Sequence, residues 1–241
     1  MCATTIIFRR ELAAYLRSPM GWVIAAITLL LDGVLFQAFA LGAGKRLSAV
    51  ALAEFFRYST LPVAVAAIAL SMRLVAEERE QGTMVLLNTS PVRDRDIVLG
   101  KFLAAFVFLT GVTLASVYMP LLIMVNGKIS VGQVAVGYLG LALWGATMLA
   151  IGVFASSLTR HQLVAGIVAA AIAGCFVAFY FLSKVVDGPL KDVFASIDLY
   201  ARHFPPFQQG VLHLAHVVYY LAVTYVFLLL AVKTMEAKRW Q

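Results

Sequence analysis

The sequence predicts an all-α, polytopic membrane protein with six transmembrane helices, and two observations carry the prediction. The 241-residue chain is 62% apolar and 13% charged, with a mean hydropathy of +0.92, well outside the composition of soluble globular domains. Six runs, at roughly 20–43, 58–76, 98–125, 132–157, 162–183 and 211–233, also reach the ~20 apolar residues that a helix needs to cross the hydrocarbon core. The intervals are too short for a separate soluble domain, so residues 1–241 read as a single transmembrane domain.

The first element in order is an elbow helix over 4–17. In FRRELAAYLRSPMGW, Phe8, Leu12, Tyr15 and Leu16 recur at helical spacing while Arg10 and Arg17 share another face. That is the pattern of a helix lying in the interface with its cations toward lipid phosphates. Ser18 and Pro19 supply an N-cap and a first helical position, so the chain turns there into span one. No small-residue cleavage site follows, so this run reads as a retained span rather than a secretory signal. Asp32 lies near its middle, where an ionised carboxylate is costly unless paired or hydrated. Two readings of Asp32 stand: it faces a polar pathway or subunit seam, or it is hydrogen-bonded against a neighbouring helix.

Span three contains Pro120, whose missing N–H should kink the helix near its outer end. Ala142, Ala146 and Ala150 in span four, and Gly166, Ala170, Gly174 and Ala178 in span five, repeat every four residues and predict close helix packing. Before span six, Leu190, Val193, Phe194, Ile197 and Phe204 form a helical stripe that Pro205 and Pro206 should end. This predicts an outer amphipathic or re-entrant segment, lining an exit or resting on the surface.

Twelve Lys and Arg fall on the side of the N-terminus and seven on the other, which predicts both termini in the cytoplasm. The net charge of +7 thus has a membrane explanation and does not point to nucleic acid. Cys2 and Cys175 have no motif spacing. No P-loop is present, because Lys45, Lys101 and Lys128 follow glycines but precede no Ser or Thr, and H-E-x-x-H and G-x-S-x-G are also missing. His213 and His216, at i and i+3, lack a third ligand nearby in sequence, so no metal is expected. No catalytic residues emerge.

The stretch EEREQGTMVLLNTSP is different. Glu77 to Gln81 end span two, Gly82 breaks the helix, and Met84, Leu86 and Leu87 put apolar side chains in a loop that should be polar. Ser90 and Pro91 then start the next helix, with Asp94 and Asp96 near its positive end. An apolar knob on a charged stem suits docking to another protein.

At these residues the chain resembles the ABC-2-type exporter permeases, and more narrowly the gliding-motility (GldF-like) ABC permease branch. The shared stretches are FRRELAAYLRSPMGW, AEEREQGTMVLLNTSPVRDRDIVLGKFLA, YLGLALWGATMLAIGVFASSLTRHQ and AVKTMEAKRW, which together cover nearly the whole chain. The resemblance implies a type II ABC exporter fold: a six-helix half-transporter, dimerising with a second permease chain, identical or not. Two separate ATPase subunits would carry ATP and Mg, and this chain would bind no cofactor. Carried onto this sequence, the coupling segment is 77–97, with Glu77, Glu78, Arg79, Gly82, Thr83, Met84, Leu86 and Leu87 as its contact residues. A second, shorter contact matches Ser157, Arg160 and His161. Many relatives carry an acidic residue near Met84 and Val85, and this chain does not. Two rival readings are a module that passes ATPase motion to an extracytoplasmic or membrane accessory partner, and a membrane-embedded enzyme.

Overall fold

A computed structural model describes residues 3–41, 48–80, 93–126, 129–185 and 196–239, and the described residues are helical apart from short connections. The helices are α1 (Ala3–Arg17), α2 (Pro19–Leu35, continued by a π-helical turn Phe36–Leu41), α3 (Ser48–Ser71), α4 (Ala76–Glu80) and α5 (Asp94–Ala115). They continue with α6 (Tyr118–Asn126), α7 (Val131–Leu158), α8 (Gln162–Val185), α9 (Pro205–Gln208) and α10 (Leu214–Arg239). Six helices are long and apolar enough to span a membrane: Pro19–Phe39, Ser48–Glu78, Asp94–Val125, Val131–Leu158, Gln162–Phe179 and Leu214–Lys238.

The elbow is built as its sequence requires. The Ser18 hydroxyl accepts from the Gly21 N–H at 3.2 Å and Pro19 occupies the first turn of α2. Ile7 is buried and Leu12 and Tyr15 pack on the core, but Leu16 is exposed.

Span four is the centre of the fold, packed by spans two, three, five and six. Its glycines allow this. A Cβ on Gly152 would fall 2.6 Å from the Ser71 Cβ and closer still to its hydroxyl, so spans two and four meet almost backbone to backbone. Trp144 Nε1 donates to the Thr60 carbonyl at 2.9 Å, and the Thr147 and Thr224 hydroxyls meet at 3.1 Å, tying spans two and six to the same helix.

Several elements depart from the sequence reading. Span two starts at Ser48, ten residues before the expected 58, because Glu54 and Arg57 pair at i, i+3 (3.6 Å) and so remain within the helix. Span three breaks at 116–117, one turn before Pro120: the proline ring would clash with the carbonyl four residues back, that of Ser116. The seam of span five is Ala165, Ala169 and Ala173, all buried, whereas Ala170, Gly174 and Ala178 face outward. The helix after the charged loop starts at Asp94 with Arg93 at its N-cap, and Ser90 and Pro91 lie outside the described residues. Leu190, Val193 and Phe194 also lie outside them. Pro205 and Pro206 open a short helix instead of ending one, since a proline in the first turn loses no hydrogen bond.

Candidate functional site

The helix of span two loses its regular pattern at Met72–Val75 and resumes as α4, which carries Glu77, Glu78 and Arg79. Nothing local explains the break, because SMRLVAEERE contains neither glycine nor proline. Its cause is Ser156 of span four. The Ser156 hydroxyl accepts from the N–H groups of Val75 (3.1 Å) and Ala76 (2.9 Å) and donates to the Met72 carbonyl (3.1 Å). One buried hydroxyl thus satisfies three backbone groups that the break releases. Each would cost about 1–3 kcal/mol if left without a partner.

Beyond the break, the charges of the stem turn inward. Glu77 is held by Arg73 through two bonds, at 2.9 and 3.1 Å. Glu78 meets Lys101 of span three at 2.9 Å and Arg10 of the elbow at 3.2 Å. Glu11 closes the ring, 3.1 Å from Lys101 and 2.7 Å from Arg10. Two carboxylates and two cations alternate, and Lys101 is only 3% exposed. Thr4 Oγ1 adds a hydrogen bond to Asp96 at 2.8 Å. The elbow, the stem and the start of span three are therefore one electrostatic unit around a cavity of about 230 Å³, which Tyr15 and Ser18 also line.

Burial pushes the Glu11 carboxyl up, but Lys101 and Arg10 outweigh it and hold it below the usual carboxylate range. Because its folded value lies below the ordinary 4.5, Glu11 stabilises the unit above that pH, and the contribution is lost as pH falls through the folded value. Arg10 was expected to face lipid phosphates, yet two carboxylates of its own chain occupy its guanidinium.

The second sequence-selected contact sits on the same face. Ser157 is buried and donates to the Phe154 carbonyl at 2.6 Å, while Arg160 and His161 are exposed on the turn after span four. Lys238, from the end of span six, donates to the carbonyls of Ser157 (3.1 Å) and Leu158 (2.7 Å) and fixes that turn. The structure thus gathers Glu77, Glu78, Ser157, Arg160 and His161 on the elbow side. Gly82, Thr83, Met84, Leu86 and Leu87 lie outside the described residues. Sequence reading missed Ser156, whose only signal was a Ser-Ser pair ending an apolar helix, and Lys101, a lone cation near the start of span three.

Asp32 is 2% exposed and bonds to Ser59 of span two, and its Oδ1 has no hydrogen-bond partner among the described residues. It stands between helices of its own chain. A groove of about 650 Å³ beside it is lined by Leu29, Gly33, Gln37 and Met119 but not by Asp32. Among the described residues, no group of three or more His, Cys, Asp and Glu side chains is arranged to hold a metal.

Six spans, with the glycine-bearing span four at their centre and an ion-paired elbow and stem at one face, define a polytopic helical membrane protein. Residues 5–235 match the family described as ABC-2 family transporter protein, and the chain belongs to that family. It is accordingly an ABC-2 transporter permease subunit, a non-catalytic membrane component that works with an ATPase partner. No curated protein matches the chain.

Proposed function

We propose that this subunit is one half of a dimeric exporter in a bacterial inner membrane, with the elbow face and both termini in the cytoplasm. Segment 77–97 is its principal contact with a separate ATPase, and Ser157, Arg160 and His161 form the second. The observation that carries this reading is the ion-paired ring joining Glu78 to Arg10, Glu11 and Lys101. A push on the loop after Glu80 reaches span three and the elbow directly through that ring, and reaches span four through Ser156. The stem is therefore a lever with a fixed fulcrum. Glu77 and Glu78 act by holding this lever, while Gly82, Thr83, Met84, Leu86 and Leu87 supply the apolar knob. Arg79 lies between the two sets.

ATP and Mg belong to the partner. When span one parts from span two, Asp32 is the carboxylate that a polar or cationic group in the pathway would meet. The motifs shared with the gliding-motility branch support placing the complex in that part of the family, and the positive-inside count supports the orientation.

The test is purification of the tagged protein from its native membrane in mild detergent. A nucleotide-binding subunit should co-purify with ATPase activity, and both should be lost when Gly82–Leu87 is replaced by a polar linker. Retention of the ATPase by that variant would overturn the docking assignment.

A further inference from the structure

On the face opposite the elbow, segment 196–210 is docked on spans two, four and six. The buried Asp198 carboxylate accepts from the N–H groups of Tyr200, Ala201 and Arg202, and the hydroxyls of Tyr219 and Tyr220 donate to the carbonyls of Ile197 and Leu199, each at 2.7 Å. Phe204 and Phe207 are fully buried, and Gln133 of span four donates to the Gln208 carbonyl at 3.3 Å. One contact in this dock differs from the others. His203 lies flat on Tyr219 (ring centroids 3.7 Å apart, planes 3° apart), and its Nδ1 is 2.8 Å from the Nδ1 of His216 in span six.

The hydrogens in that contact can be assigned from the partners. His203 Nε2 lies 3.4 Å from the Ser196 carbonyl, which only accepts, so Nε2 carries hydrogen. Neutral His203 then offers a bare Nδ1, and His216 donates its Nδ1–H to it. His216 can take a proton at its other nitrogen without losing the contact. A first proton on His203 also leaves the contact in place, because neutral His216 can then carry its hydrogen on Nε2 and accept at Nδ1; a second proton puts hydrogen on both Nδ1 atoms and sets two N–H groups against each other.

We propose that His203 and His216 form a single-hydrogen latch that holds segment 196–210 against span six and opens when both rings are protonated.

The surrounding charges favour that behaviour. Burial, His216 and Arg202 lower the His203 value, against the Ser196 carbonyl and the more weakly acting Asp198. His213 lies beside His216 on span six, and Tyr200 faces Arg57, which is paired with Glu54 on span two. Stacking on Tyr219 attracts an imidazolium and opposes this lowering in part. The sign follows from linkage. Docked His203 binds its proton more weakly than free imidazole, whose ordinary value is 6.5, so docking is complete above 6.5 and is lost as pH falls below it. One excluded proton predicts an opening equilibrium that rises by about tenfold per pH unit below that point, up to roughly 30-fold between pH 7.5 and 5.0.

The test is hydrogen exchange of peptides covering 196–210 in the full chain in lipid nanodiscs, from pH 8 to 5, corrected for the intrinsic rate. The wild-type chain should show a ten- to thirty-fold loss of protection. His203→Phe keeps a ring on Tyr219 without a titrating nitrogen and should show a flat profile. Nitrogen-15 shifts of the wild-type histidines provide a readout that needs no variant: at pH 8, His203 Nδ1 should be unprotonated, and the pair should take up its second proton only as protection is lost. Protection that is independent of pH in the wild type, an equal loss in His203→Phe, or uptake of both protons by a pair that stays protected would each overturn the latch.

Discussion

Gly152→Val should abolish accumulation of the folded protein. The new Cβ would fall 2.6 Å from the Ser71 Cβ and nearer still to its hydroxyl; the hydroxyl could turn about one bond, but the Cβ is fixed to the backbone and cannot swing away. Spans two and four would have to separate at the point where Ser156 holds the Met72–Val75 break, so three backbone hydrogen bonds are lost with the packing. Overpacking alone costs about 1–3 kcal/mol, and each of the three released backbone groups adds about 1–3 kcal/mol. Together these approach the 5–15 kcal/mol that usually holds a domain folded. Size-exclusion profiles of a fluorescent fusion should show the monodisperse peak lost for Gly152→Val and recovered when Ser71→Gly is added. Gly174→Val should leave the peak in place, because a Cβ there meets nothing within 4 Å. A normal profile for Gly152→Val would remove the close contact from the account.

Lys101→Met has the second-largest expected effect. Methionine nearly keeps the volume but leaves Glu11 and Glu78, which are 16% and 15% exposed, to share Arg10, which is 59% exposed. Removing one partner from a largely buried charge cluster costs about 3 kcal/mol or more. The elbow should detach from the stem, seen as a lower melting temperature in detergent and as faster proteolysis within residues 3–17. Adding Glu78→Gln to Lys101→Met leaves the neutral pair Glu11 and Arg10, and should recover much of the loss. If Lys101→Met melts like the wild type, the ring is not holding the elbow.

The contrast between these sites and the sequence reading has physical causes. Span number followed from the length of the apolar runs, and the elbow from Ser18 and Pro19, because both signals are local. The start of span two was hidden by Glu54 and Arg57, since a composition window sees two charges and not their mutual pairing. Span five carries small residues in two adjacent four-residue registers, and only the position of its neighbour decides that 165, 169 and 173 form the seam. The break before α4 leaves no local mark, because a hydroxyl eighty residues away imposes it. At the site, Glu77 and Glu78 were named from the charge run; Arg73 holds Glu77 at the i, i+4 spacing, but the inward aim of Glu78 depends on Lys101 and Arg10, which no spacing rule connects. His203 and His216 were separated in the same way, with only the His213 and His216 pair close in sequence.

The central claim is that the elbow face receives the ATPase through the loop carried by this stem. The most direct measurement places a photo-crosslinking amino acid singly at Leu87, His161 and Val211 and irradiates native membranes. The account predicts adducts with a nucleotide-binding subunit from Leu87 and His161 and none from Val211. Adducts from Val211 alone, with none from the two elbow-face positions, would contradict it.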